Sequence, residues 1–219
     1  MLDFIVHLIP GSPFGRAVLV LLEEKNARYR VNPVAPASLK TPEHLVRHPF
    51  GKIPAIDHGG FRLYETQAIL RYADRVLPQP SLTPSNPEAA ALMDQLMNIN
   101  DWYLFQGVAS VIGFQRIIGP LLMGLTADEE AISAAMSKGY AAFSELARLL
   151  GDKPFFVGES VSLADVIIAP QLDMLRGTPE WERLTAGHGN LLSWLDRMNT
   201  RPSMVSTTLD RVASIAHAA

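Results

Sequence analysis

Three short stretches carry groups whose types and spacing suit chemistry on a small peptide. Ser12-Pro13-Phe14-Gly15-Arg16 stands where an apolar run gives way to a helical one. Serine as N-cap and proline at the first helical position are ordinary ways to start a helix and need no further purpose. The same hydroxyl can donate a hydrogen bond to a ligand thiolate, and the helix N-terminus adds a positive field that favours the anion. No neighbouring base would make Ser12 itself a nucleophile, and a Gly-x-Ser-x-Gly turn is lacking, so a hydrolase triad fits poorly. In Gly51-Lys52-Ile53-Pro54-Ala55-Ile56 a proline opens an apparent internal strand, where it has no N–H to give to the ladder. It marks either an edge or bulge, or a cis bond that turns the N–H and C=O of Ile53 outward for an extended peptide. Glu65-Thr66 begins another helix. Thr66 is a plain cap on one reading. On the other, Thr66 and its helix end bind a carboxylate while Glu65 receives an ammonium, a pairing that suits an amino-acid head group.

The elements that must position these groups follow from periodicity. Asp3 to Ile9 is a nearly continuous apolar run ending at Pro10-Gly11, as in a buried strand. The segment from Pro13 to Lys25, apolar at Val18, Leu19, Leu21 and Leu22, reads as a helix, and Tyr29 and Val31 alternate with Arg28 and Arg30 as in a strand. After an irregular stretch with room for a short helix, Ile53 to Asp57 and Phe61 to Tyr64 flank His58-Gly59-Gly60, a hairpin signal. Thr66 to Val76 is again helical, through Ile69, Leu70, Ala73 and Val76. This order predicts a mixed sheet with helices on its faces, a parallel crossover first and an antiparallel hairpin after it. Pro78, Pro80, Pro84 and Pro87 then read as an interdomain linker, and everything beyond Glu88 as helical. Thr126-Ala127-Asp128-Glu129 and Ser162-Leu163-Ala164-Asp165 have the spacing of capping boxes, and Asn190 is placed to cap Leu191 to Asn199.

Composition sets the limits. With 219 residues, 48% hydrophobic and 19% charged, the chain is an ordinary globular mixture that can build one large core or two modest ones. A net charge of −3 gives no basic excess for a nucleic-acid partner. Apolar runs such as Ala17–Leu22 and Val166–Ala169 fall far short of a membrane span, and the start lacks the basic region of a signal peptide, so the expected location is the cytoplasm. Cysteine is wholly absent, which removes disulfides, thiolate metal sites and a protein thiol nucleophile together. Any sulfur chemistry must use a sulfur that arrives with a ligand. Six histidines lie scattered without ligand spacing, and no metal is assigned.

At this point the residues resemble the glutathione transferase superfamily over essentially the whole chain. Ser12 to Val18, followed by Leu21-Leu22-Glu23-Glu24-Lys25, is similar to the serine-type active-site helix of the phi, theta and tau classes. Pro49-Phe50-Gly51-Lys52-Ile53-Pro54-Ala55 is similar to the family's cis-proline loop, Tyr64 to Ile69 to its Glu-Ser motif, and Phe156 to Asp165 to its helix-capping segment. The resemblance implies an α/β plus all-α architecture: a thioredoxin-like, glutathione-binding domain with a mixed sheet over residues 1–77, a linker over 78–87, and an all-helical domain over 88–219 that contributes the electrophile site. It also implies a homodimer, with Phe50 near a dimer-contact position. By carry-over, Ser12 would hydrogen-bond the glutathione sulfur, Ile53 would pair its backbone with the cysteinyl unit, Pro54 would be cis, Lys52 and Pro54 would also belong to the glutathione-binding set, and Glu65 and Thr66 would hold the γ-glutamyl end. Lys40 would take the glycine carboxylate, or be a solvated loop lysine. The aromatic stretch Trp102, Tyr103, Phe105 and Phe114 suits a core. The family would place Phe14, Tyr103, Phe114 and Ile118 around an apolar electrophile, and Asp165 in a fold-supporting cap. Departures are His48 where asparagine is usual and Thr66 where serine is. The implied activity is conjugation of the glutathione thiolate to apolar electrophiles, with glutathione as co-substrate. Other possibilities are a peroxidase, isomerase or dehalogenase on the same fold, or a non-catalytic binding protein.

Overall fold

Strand β1 (Phe4–Leu8) alternates, so Phe4, Val6 and Leu8 all point to one face of a sheet, where they are buried. Helix α1 (Pro13–Glu24) packs onto that face through a continuous apolar stripe that includes Val18, Leu21 and Leu22. The approach is close: a Cβ on Gly15 would lie 2.9 Å from Leu8 Cβ, so only glycine lets the helix come down there. The structure, a computed structural model, describes residues 3–217. It divides into two compact units, residues 1–83 with 199–219, and residues 84–198.

The first unit is built on a four-stranded sheet of order β2-β1-β3-β4, with β2 Tyr29–Pro33, β3 Ala55–His58 and β4 Phe61–Tyr64. The β1–β2 pair is parallel, with Leu8 opposite Pro33. The β1–β3 pair is antiparallel, with His7 opposite Ala55, and in the β3–β4 pair Ala55 faces Tyr64. Gly59 and Gly60, at φ +58° and +86°, make the hairpin turn that the sequence predicts. Helix α2 (Pro42–Arg47) fills the irregular stretch, and α3 (Thr66–Val76) joins α1 through Ile69, Leu70 and Ala73.

Two findings differ from the expected domain boundaries. Residues 78–83 are bound to the first unit rather than forming a free linker. Lys25 Nζ donates to Asp74 Oδ1 at 3.0 Å and to the Pro80 carbonyl at 2.7 Å, while Asp74 accepts from Leu82 N and Thr83 Oγ1. Residues 199–217 also belong to this unit. Arg201 clamps Glu24 with two bonds of 2.7 Å, Ser203 donates to the same carboxylate, and Arg16 donates to the Met204 carbonyl at 3.1 Å. Helices α11 (Pro202–Ser206) and α12 (Leu209–His217), which follow α10, thus return to α1 and β2.

The second unit is helical. α4 (Pro87–Ile99), capped by Asn86, continues through a wide-turn stretch at Asn100–Ala109, then α5 (Ser110–Gly113), a second wide turn at Phe114–Ile118, and α6 (Gly119–Met123). Gly124, at φ +63°, ends the run. By length and composition Pro87–Leu121 is long and apolar enough to cross a bilayer, which corrects the expectation that no run comes near a span. Its Met93, Leu96, Met97, Leu104 and Val108 are buried, and the run packs on α7 (Glu129–Leu150) and α8 (Leu163–Arg176). The cap of α7 is Asp128, which accepts from Ala131 N, and not Thr126. Ser162 and Asp165 do form the expected box, and Asp165 also receives Phe156 N and Trp194 Nε1. After α9 (Trp181–Thr185), Asn190 lies inside α10 (Gly189–Asn199) and donates to the Ala147 and Gly151 carbonyls at the end of α7.

Burial pushes the Asp74 carboxyl up, but the Leu82 N–H, the Thr83 hydroxyl and Lys25 outweigh it and hold it below its usual 3.8. A lowered folded value means that this stabilisation is complete above the unfolded carboxylate range and is lost as acid titrates the folded group. Asp74→Ala strands the buried Lys25 ammonium and is expected to cost about 3 kcal/mol in urea unfolding at pH 7. A loss under 1 kcal/mol would show that the clasp is not needed.

Candidate functional site

The sheet register gathers the three stretches at one end. His7 opposite Ala55 puts the carboxyl end of β1 beside the amino end of β3, and Ala55 opposite Tyr64 adds the carboxyl end of β4. Ser12, Ile53-Pro54 and Glu65-Thr66 each lie within four residues of one of those strand ends. The carboxyl end of β2 is there as well, and leads toward Lys40.

Ser12 is the N-cap of α1, as the plain reading requires: its Oγ accepts from Gly15 N at 3.2 Å. That bond uses a lone pair and leaves the hydroxyl hydrogen to be donated, so capping and thiolate binding do not compete. The side chain is partly exposed, and Gly11 makes the turn before it at φ +89°. The Ile53–Pro54 bond is cis, one of the two alternatives open in the sequence, and β3 begins only at Ala55. Glu65 is the N-cap position of α3, with φ +71° and ψ +117°, a conformation strained for a residue with a side chain. Its carboxylate is largely exposed, while Thr66 is buried at the first turn of α3.

The loop between α2 and β3 is held from several sides. Lys40 Nζ donates to the Phe50 carbonyl at 3.1 Å, and Lys52 is exposed beside it. Gly51 has φ +62°, and a Cβ there would lie 2.7 Å from the Leu39 carbonyl oxygen. His48 is buried against the Tyr64 ring, 4.8 Å between centroids, with Nε2 3.9 Å from Glu65 Oε1. Burial lowers its pKa below the usual 6.5 despite the Glu65 charge, so the ring is neutral at neutral pH. His44, which the sequence reading passed over, is 2% exposed, and its Nε2 lies 2.8 Å from the Lys52 carbonyl oxygen. Only its place on the inner side of a short helix, unknown without the α2 register, could have singled it out.

The groups expected around an electrophile are placed unevenly. Phe14 is half-buried on α1 in the first unit. Tyr103, Phe114 and Ile118 lie in the two wide turns of the second unit, with Tyr103 66% and Ile118 43% exposed. Trp102 is 62% exposed too, so the expectation that Trp102 and Tyr103 are core residues is corrected. Among the described residues no His, Asp and Glu cluster could hold a metal.

Residues 3–75 match the family model for the glutathione S-transferase N-terminal domain, and residues 129–197 that for its C-terminal domain. Glutathione S-transferase 1 of Zea mays is 31% identical over 84% of this chain and 85% of its own length. A probable glutathione S-transferase of Oryza sativa subsp. japonica is 29% identical over 90% and 94%. A glutathione S-transferase-I solved with the ligand lactoylglutathione superposes with a TM-score of 0.83, at 27% identity over 97% of this chain and 99% of that one. The chain belongs to the glutathione S-transferase family.

Replacing the strained residue tests whether its backbone is retained for a ligand. Glu65→Gly is expected to raise stability by about 1 kcal/mol in thermal unfolding, because glycine adopts positive φ without strain, while glutathione affinity falls. A variant less stable than the parent would show that Glu65 serves the fold.

Proposed function

We propose that the protein conjugates the glutathione thiolate to apolar electrophiles, with Ser12 donating a hydrogen bond to the sulfur. The observation that carries this reading is the convergence of three ligand-suited groups at one end of the sheet: a hydroxyl at a helix tip, an unladdered Ile53-Pro54 edge and a strained acid at a second helix tip. The tripeptide would lie across these strand ends. Ile53 would pair its backbone with the cysteinyl unit beside Lys52 and cis-Pro54, Glu65 would receive the α-ammonium, and Thr66 with the α3 N-terminus would bind the adjacent carboxylate. Lys40, already directed at the loop through Phe50, would reach the glycine carboxylate. A ligand bound in a relative supports the same peptide class, since that protein was solved with lactoylglutathione.

In the reaction the thiol loses its proton to solvent, and the Ser12 O–H and the field of α1 stabilise the resulting anion. The sulfur then attacks the electrophile, forming the C–S bond as the leaving group departs or the double bond accepts the pair. The reading extends to a homodimer in the cytoplasm. Val46 and Phe50, 71% and 63% exposed on the α2 side of the first unit, are the apolar groups that would meet the partner in that dimer.

Loss of a hydrogen bond to a charged atom removes 1.5–3 kcal/mol, so Ser12→Ala is expected to slow conjugation of a generic aromatic halide roughly 10- to 100-fold. The thiol pKa read from the pH–rate profile should rise, while calorimetry with glutathione shows binding retained. Equal rates in both proteins would remove Ser12 from the mechanism. For the dimer, Phe50→Ser should shift sedimentation toward the monomer; an unchanged profile places the contact elsewhere.

A further inference from the structure

His44 is a buried polar side chain that the conjugation mechanism does not use. Its Nε2 stands 2.8 Å from the Lys52 carbonyl oxygen. A carbonyl oxygen only accepts, so Nε2 carries the hydrogen of that bond. Nδ1 has no hydrogen-bond partner and is buried, and the ring lines a cavity of about 160 Å³ with Asn32, Ser38, Thr41 and Arg47. The ring is therefore anchored on one side only, and that anchor is the Lys52 carbonyl.

The position of that carbonyl gives it leverage. Lys52 C=O and Ile53 N–H belong to one planar peptide unit. The cis bonds of the described chain are Ile53–Pro54 and Gln79–Pro80, so the Lys52–Ile53 unit is trans and its C=O and N–H point in opposite directions. A bond that draws the oxygen toward α2 thereby directs the Ile53 N–H away from α2. The neighbouring carbonyls are held by other means, Phe50 by Lys40 Nζ and His48 by Gly51 N, so the Lys52–Ile53 plane depends on His44 for its rotation.

We propose that His44 is a positioning residue: through the Lys52 carbonyl it sets the direction in which the Ile53 N–H is offered to the tripeptide. The inference rests on the reading that Ile53 pairs with glutathione. It acts on binding rather than on the sulfur, because Ser12 sits on a different element with its own hydrogen bond.

The test compares His44→Leu, which has no donor, with His44→Gln, whose side-chain amide can donate to the same carbonyl. Loss of the fixed N–H should raise KM for glutathione about 10-fold in the leucine variant, with kcat at saturating glutathione within about twofold and the thiol pKa unmoved. The glutamine variant should recover most of the loss. An unchanged KM in the leucine variant, or equal impairment of both variants, overturns the proposal. Should the leucine variant fail to fold, histidine nitrogen NMR of the unaltered protein decides: the hydrogen of His44 must reside on Nε2, and finding it on Nδ1 overturns the proposal. Calorimetry of the unaltered protein separates the two levels. Absence of glutathione binding there sinks the glutathione reading and the inference with it. Tight binding with an Ile53 amide resonance that ignores glutathione sinks the inference alone.

Discussion

Because β1 pairs in parallel with β2 and antiparallel with β3, a slip of one residue between His7 and Ala55 would turn every inward side chain of one strand outward. It would also carry Pro54 along the sheet relative to the tip of α1. The register is pinned from both faces. Phe4, Val6 and Leu8 are locked under α1 and α3, and on the opposite face His7 receives Asn32 Nδ2 at 2.7 Å and meets Asp57 at 2.8 Å. Burial lowers the His7 pKa despite Asp57, so this ring too is a neutral spacer, with both nitrogens occupied. The groups that could touch a ligand are consequently set by the core, although they lie on turns and helix tips.

Within that frame, the residues proposed to meet the ligand also hold the structure. Ser12 spends its lone pair on the first turn of α1 and keeps its hydrogen. Glu65 carries the opposite arrangement. Its side chain makes no cap bond, its backbone is held at positive φ, and its carboxylate faces outward beside a buried neutral histidine. A strained backbone persists only where surrounding contacts over-determine it. Here the Ile69 N–H on the Glu65 carbonyl, the packed Thr66 and the Tyr64–His48 contact supply that constraint.

Much of the fold was legible because it rests on short-range periodicity. The strand, helix, strand, hairpin and helix of residues 4–76 follow from alternation and apolar stripes, with ends displaced by one or two residues. The positions of Ser12, Pro54, Glu65 and Thr66 on their elements were legible for the same reason. What the sequence left open was decided by partners far along the chain. The proline-rich 78–83 stretch reads as a linker until Lys25 and Asp74 are seen to bind it. Asn190 has the chemistry of a cap, but the carbonyls it serves end a helix some forty residues earlier. His44 looks like one polar residue of a surface helix until the sheet places α2 over Lys52.

The return of residues 199–217 to α1 makes the first unit discontinuous, with the whole helical unit inserted into it. Arg201 closes on Glu24 across 177 residues, and Leu209 comes within 3.3 Å of where a Cβ on Gly11 would stand, in the turn that leads to Ser12. Synthesis delivers the chain from its amino end, and contiguous domains complete first. Residues 84–198 are thus all synthesised before the sheet domain receives residues 199–217, the segment that packs on α1 and β2. The unit whose first residues are made earlier is therefore the one whose residues become available as a full set later.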